Sequence, residues 1–167
     1  GGAMDRFSAQ LANALLGLEL GSPVLEMHFP ASQILFEAPA IISICGADFG
    51  PTINQQPVPM HHPIAVSQNT LLQFRAMKSG ARVYLAIHNG MDLKEWEGSY
   101  STNLKAGIGG FEGRALKKYD VVSFARQPDL SSLLGEKEIA VLPWKALDII
   151  EHLDSLEFVI GSEWHSL

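Results

Sequence analysis

Two periodicities divide the chain. Near the N-terminus Phe7, Leu11 and Leu15 recur at helical spacing, with Ala12 and Leu16 beside them. Such spacing lines one face of an α-helix. Asp5 stands ahead of the run as an N-cap, since its carboxylate can accept from the free N–H groups of the first turn. Gly17 stands behind it, where a left-handed C′ residue ends a helix. From Pro23 the period falls to two: Leu25, Met27 and Phe29 alternate with Glu26 and His28, predicting a strand with one buried face. Further strands are predicted over residues 34–36, 40–45, 64–66, 71–75, 82–88 and 121–124. Residues 52–58 read as a hairpin turned at Asn54-Gln55. Pro57, Pro59 and Pro63 confine the residues around and after them to an edge or a loop. Residues 126–137, with Pro128 and Gly135, have the composition of a connector. Beyond it the pattern predicts a strand over 139–142, an amphipathic helix near 144–153 and a strand over 157–160.

Many short strands separated by Gly, Pro and Asn turns, without alternating helices, indicate a mainly β fold: an antiparallel sheet or barrel. Composition agrees. The chain has 167 residues, 47% hydrophobic and 18% charged, enough for one ordinary core and too apolar for disorder. Its net charge of −6 argues against a nucleic-acid surface but leaves small anions open, because local geometry holds those. The single cysteine, Cys45, lies in an apolar run and reads as a buried, inert thiol outside any disulfide framework. None of the six histidines has metal-ligand spacing, so no metal is expected. No apolar run approaches the roughly 18 residues of a membrane span. The expectation is a soluble, cytoplasmic chain with neither membrane nor nucleic acid as partner.

Candidate chemistry concentrates in residues 80–120. The strand over 82–88 ends at His88-Asn89-Gly90, and a loop rich in charge, hydroxyls and glycine comes next. Asp92, Ser99, Ser101 and Thr102 can orient a small polar substrate, with Asp92 as base or orienter; alternatively they make only local turn and backbone bonds. A serine nucleophile would need a histidine, and His88 is the nearest in sequence, but no nucleophile elbow surrounds these serines. Gly109, Gly110 and Gly113 let a backbone approach an anion, and Arg114 adds a fork suited to a carboxylate or phosphate. The competing reading makes the glycines tight turns and Arg114 a salt-bridge partner. Arg82, opening its strand, is open to both anion binding and a snorkelling edge role.

Taken together, these segments resemble one family. The opening GGAMDRFSAQLANALLG is similar to a motif of allophanate hydrolase subunit 2, also known as the C subunit of 5-oxoprolinase, the biotin-dependent carboxyltransferase-domain proteins. The stretch LFEAPAIISICGADFGPTINQQPVP fits as well, and residues 80–120 follow the family signature nearly throughout. The matching residues include Arg82, Tyr84, Asp92, Ser99, Ser101, Thr102, Gly109, Gly110, Gly113, Arg114 and Asp120. Three positions depart from it. His88-Asn89-Gly90 stands where the family has a glycine pair before the aspartate, Tyr100 at an arginine, and Tyr119 at the glycine before Asp120.

The resemblance implies a cyclophilin-like antiparallel β-barrel with a short N-terminal helix, a fragment of a two-lobed carboxyltransferase domain. The expected division is a first lobe over 1–125, a connector over 126–137 and the start of a second lobe over 138–167. It implies a hydrolase active only with partner subunits: an ATP-dependent 5-oxoprolinase, or a urea/allophanate-type carboxyltransferase. Asp92, Ser99, Ser101 and Thr102 would act on a small amide substrate. Arg82, Tyr100, Gly109, Gly110, Gly113 and Arg114 would hold it or an anion. The expected partner is a subunit-B or subunit-1-like protein, with ATP on that partner in one arrangement and carboxybiotin in carboxylase-type relatives. The alternative is a non-catalytic regulatory module that docks to the same partner.

Overall fold

The computed structural model describes residues 2–146. Helix α1 (Arg6–Leu15) is capped as its sequence predicts: the Asp5 carboxylate accepts from Ser8 N at 3.0 Å. At the other end Gly17 takes φ +66°. Its N–H donates to Ala14 O at 3.0 Å, and Leu18 N donates to Asn13 O at 3.0 Å. These paired bonds are those of a Schellman stop.

Nine strands come after it, interrupted by one short helix. They are β1 (Leu25–Met27), β2 (Ile34–Phe36), β3 (Ala40–Asp48), β4 (Pro51–Ile53), β5 (Gln56–Pro57), β6 (Pro63–Val66), β7 (Thr70–Phe74), β8 (Ser79–Ile87) and β9 (Ile139–Val141), with α2 (Ser131–Leu134) between the last two. All pairings are antiparallel. One sheet has the order β1-β8-β3-β6-β9, the other β2-β7-β4-β5. The sheets share strand runs at two corners. β3 pairs with β8 and continues into β4, which pairs with β7. At its other end β3 pairs with β6, while β2 pairs with β7. Residues from both sheets, among them Phe36, Ile42, Ile44, Ile53, Ile64, Leu72 and Leu85, meet in one core. Corners at which strands pass between sheets belong to barrel-like packings.

β3 and β8 are covered on both faces. Ile42, Ile44, Val83 and Leu85 point into the barrel core. Cys45, Tyr84 and Ala86 lie under Ala9, Ala12, Leu15 and Leu16 of α1. This double burial is why their sequences are continuous apolar runs. The Ser43 hydroxyl donates to Ala12 O at 2.6 Å and ties helix to sheet. β3 runs past the predicted end at residue 45, through a register shift between Gly46 and Asp48. Gly46 sits at φ +91°, where a Cβ would press on the Arg82 carbonyl.

The hairpin at Asn54-Gln55 forms as predicted, with φ +47° and +70° at the two turn residues and Ile53 opposite Gln56. These are the dihedral signs of a type I′ turn. Four expectations change. Residues 121–124 form no strand: one bridge, Met91 to Phe124, is all that pairs there. Pro63 is not at an edge but opens β6, which lies between β3 and β9; a first-residue proline costs the ladder little because the chain enters there. The connector carries a helical turn, α2, whose Leu134 packs with Leu130 on Ala65. β9, assigned by expectation to a second lobe, is hydrogen-bonded to β6 of this sheet. The strand expected at 157–160 and all but the first residues of the helix expected near 144–153 lie outside the described residues.

Candidate functional site

The loop after β8 leaves and rejoins the barrel through one root. Met91 bridges Phe124, Asp92 N donates to Ser123 O at 2.8 Å, Ala125 N to Gly90 O at 3.1 Å, and Arg126 N to Asn89 O at 3.0 Å. Asn89 is buried and donates to Pro39 O at 2.9 Å, fixing the root from below. Met91 belongs to the main core, and Leu93, Val122 and Phe124 pack against it.

Beyond the root the loop is held by its own residues. Trp96 and Ser99 exchange backbone bonds at 2.9 and 3.0 Å. The Ser99 hydroxyl accepts from Ser101 N at 3.1 Å, the local bond short hydroxyl side chains favour in turns. Asn103 pairs with Ile108. The glycine turn is pressed onto the hydroxyl segment. At Gly110, φ +51°, a Cβ would lie 2.9 Å from both Cβ and N of Thr102; at Gly109, φ +70°, it would meet the Ser101 carbonyl. Only glycine combines that backbone with that approach. The amides of Gly109, Gly110, Phe111 and Glu112 donate to no acceptor among the described residues. They lie beside the Ser101 and Thr102 backbone, on the Gly-rich turn.

Arg114 is occupied. Its guanidinium donates to both Asp120 carboxylate oxygens at 2.6 and 3.0 Å and to Glu112 Oε2 at 3.1 and 2.8 Å. It also sits 5.0 Å from the Phe111 ring centre. The Asp120 hydrogen bonds, then those of Glu112, raise its pKa above the ordinary arginine value. Donation from Arg114, then from Lys117 N, lowers Asp120 to about 2. Two carboxylates on one guanidinium leave the group locally negative, so Arg114 organises the turn, and any anion recognition passes to the amides and hydroxyls.

Arg82 lies elsewhere. It is near the start of β8, six residues before His88, about 20 Å along the strand at the ordinary rise. Its Nε faces Glu26 Oε1 at 3.5 Å. Glu26 Oε2 accepts from Tyr84 OH and Met4 N, both at 2.9 Å, and Tyr84 OH accepts from Asp5 N at 2.7 Å. Burial, with Glu26 alongside, pushes the Tyr84 phenol up to about 12. Arg82 therefore anchors the helix end, apart from the loop.

The structure brings together Ser99, Ser101, Thr102, Gly109 and Gly110; Gly113 packs on Gly107 and Ile108 and Arg114 on Glu112 and Asp120, with half-buried Tyr100 in the same loop. Asp92 is exposed at the root, and Arg82 is not part of the group. His88 serves no serine: its Nδ1 lies 3.0 Å from Leu16 O, at the end of α1. Asp120 and Glu112 receive no role from the sequence, although both flank Arg114 closely and together hold it.

The chain matches the family described as carboxyltransferase domain, subdomain A and B, over residues 1–165. It belongs to that family. It is 37% identical to the urea amidolyase of Lachancea kluyveri over 131 residues, which are 78% of this chain and 7% of that protein. It is 30% identical to the C subunit of the 5-oxoprolinase of Haemophilus influenzae over 157 residues, 94% of this chain and 49% of that protein. The crystal structure of the K. lactis urea amidolyase superposes with a TM-score of 0.73 at 35% identity, over 78% of this chain and 8% of that one. The chain thus spans at most about half the length of these curated relatives.

Proposed function

We propose that this chain supplies part of the carboxyltransferase domain of a multi-component, ATP-dependent enzyme that acts on a small amide. The substrate is 5-oxoproline or a urea-type compound. The observation that supports this most is the coincidence of the family match with a loop that sets the Thr102 hydroxyl against Gly110, beside the free amides of the glycine turn. In this reading the Gly109–Glu112 amides and the Thr102 hydroxyl receive the carboxylate or carbonyl oxygen of the substrate, where fixed donors need no reorganisation. Asp92 orients the amide N–H from the root, and Tyr100 supplies one further donor.

The described residues do not fit a nucleotide. No Gly-Lys-Ser/Thr follows the glycine turn. Two cavities lie away from the loop: one is lined by Gln56, Lys137, Glu138 and Ile139, the other mostly by apolar residues around Trp144. We therefore assign ATP to a subunit-B-like partner and derive no step through ATP or carboxybiotin on this chain. The two-lobed division, with the second lobe beginning beyond β9, is part of the same proposal.

The test uses the complete enzyme with its partner subunits. Thr102→Val and Asp92→Asn should each lower ATP-dependent turnover of 5-oxoproline or urea by roughly 10- to 100-fold with assembly intact; unchanged turnover of both substrates removes the reading. A second reading, a docking module without catalysis, is favoured by Tyr100 at the family arginine and by the neutralised Arg114. A stable complex with the partner that turns over neither substrate would select it.

A further inference from the structure

We propose that residues 94–121 form a single rigid flap, hinged at residues 90–93 and 122–126, and that its swing assembles the loop site. Among the described residues, every hydrogen bond and ion pair made by residues 94–121 is made with another residue of the same segment. None of them belongs to a hydrophobic core cluster; membership stops at Leu93 on one side and resumes at Val122 on the other. Trp96, Leu104, Leu116 and Tyr119 stay exposed, so among the described residues no hydrophobic cluster glues the segment to the barrel. A segment with few contacts to its support is one that moves cheaply.

The interior of the segment is cross-linked at several points. Arg114 holds Asp120 and Glu112. Gly110 backs onto Thr102, and a Cβ at Gly113 would come within 2.7 Å of Ile108 N. Thr102 is thereby joined to Gly110, Ile108 to Gly113, and Arg114 to Glu112 and Asp120, and these successive cross-links make the moving unit one body and not a frayed loop. Gly90, at φ +71° on the entering side, supplies hinge freedom.

The partition matters for chemistry. Asp92 lies at the hinge, bonded to Ser123 O between Met91 and Leu93, which pack in and against the barrel core, whereas Ser101, Thr102 and the free amides ride on the flap. The separation between orienting carboxylate and anion-binding donors then varies with flap position. That consequence rests on the proposed function; the motion itself does not, and can be tested independently.

The test is pulsed electron spin resonance on the full chain, with spin labels at paired cysteines. Cys45 is fully buried, and burial pushes its thiol up to about 12, so it stays unlabelled. One pair lies within the flap (Leu104→Cys with Leu116→Cys), one within the barrel (Gln68→Cys with Lys78→Cys), and one spans the two (Leu104→Cys with Gln68→Cys). All these positions are exposed. The spanning distance distribution is expected to be at least about twofold wider than both internal ones. Equal widths for all three would show a loop fixed to the barrel, and an intra-flap width matching the spanning one would show that no single body exists. Either result overturns the proposal. Asp120→Asn should widen the intra-flap distribution alone; no change there would refute the role of the Arg114 clamp.

Discussion

The barrel and the loop over residues 94–121 are built by different means. In the barrel, order comes from burial: Ile42, Ile44, Val83 and Leu85 are completely removed from water and packed across two sheets. In the loop, order comes from glycines, turns and one doubly paired arginine, with large apolar side chains left outside. Stability scales with buried apolar area, so the barrel should dominate unfolding. Shape in the loop depends on a few polar and steric contacts, each open to tuning without loss of the fold. A scaffold that does not care about the loop lets the loop specialise.

This contrast can be broken by substitution. Ile44→Ala on the barrel side should cost about 2–5 kcal/mol, the range for deleting a fully buried aliphatic side chain, read by urea unfolding. A loss under about 1 kcal/mol would mean that burial does not dominate. Asp5→Ala removes the α1 cap and should cost about 1 kcal/mol. Because α1 covers Cys45 and Ala86, faster thiol labelling of Cys45 should accompany the loss.

Acid sharpens the loop side. Asp120 has a folded pKa lowered from 3.8 to about 2, so its contribution is present above pH 4 and is lost as pH falls through about 2. Hydrogen exchange in residues 107–120 should accelerate over that window, ahead of β3 and β8. Simultaneous loss everywhere would join what the contrast separates. The smallest effect is expected at Tyr119, held at φ +74°, where a left-handed non-glycine residue is strained by about 1–2 kcal/mol. Tyr119→Gly relieves that strain but adds chain entropy to the unfolded state. The net gain should be about 0.5 kcal/mol, seen as slower exchange in the same segment.

Local chemistry made much of this legible in the sequence. The α1 caps and the Asn54-Gln55 turn need only neighbours, and both stand where residue type placed them. Long-range geometry was less visible. A continuous apolar run in β3 and β8 does not say which residues face α1 and which face the barrel. Nor does a β-like composition at 121–124 distinguish a strand from one bridge, because Val121 is exposed and the pairing there is the single Met91–Phe124 bridge. The grouping of Arg82 with Arg114 failed on distance along β8. For Arg114 itself the salt-bridge reading had its partners in plain view: Glu112 and Asp120 lie two and six residues away. The hydroxyl-and-glycine cluster was legible because both parts belong to one loop.

The central claim is that the loop carries function while the barrel carries stability. Gly110→Ala tests it most directly, since a Cβ there would push into Thr102 at 2.9 Å without touching the barrel. In the complete enzyme, turnover should fall roughly a hundredfold, the scale of an ångström misplacement in a site. The free energy of unfolding should fall by no more than about 1–2 kcal/mol, the strain of a left-handed alanine, which is less than the loss at Ile44. Full turnover with an intact fold, or loss of turnover only in step with unfolding, would contradict the account.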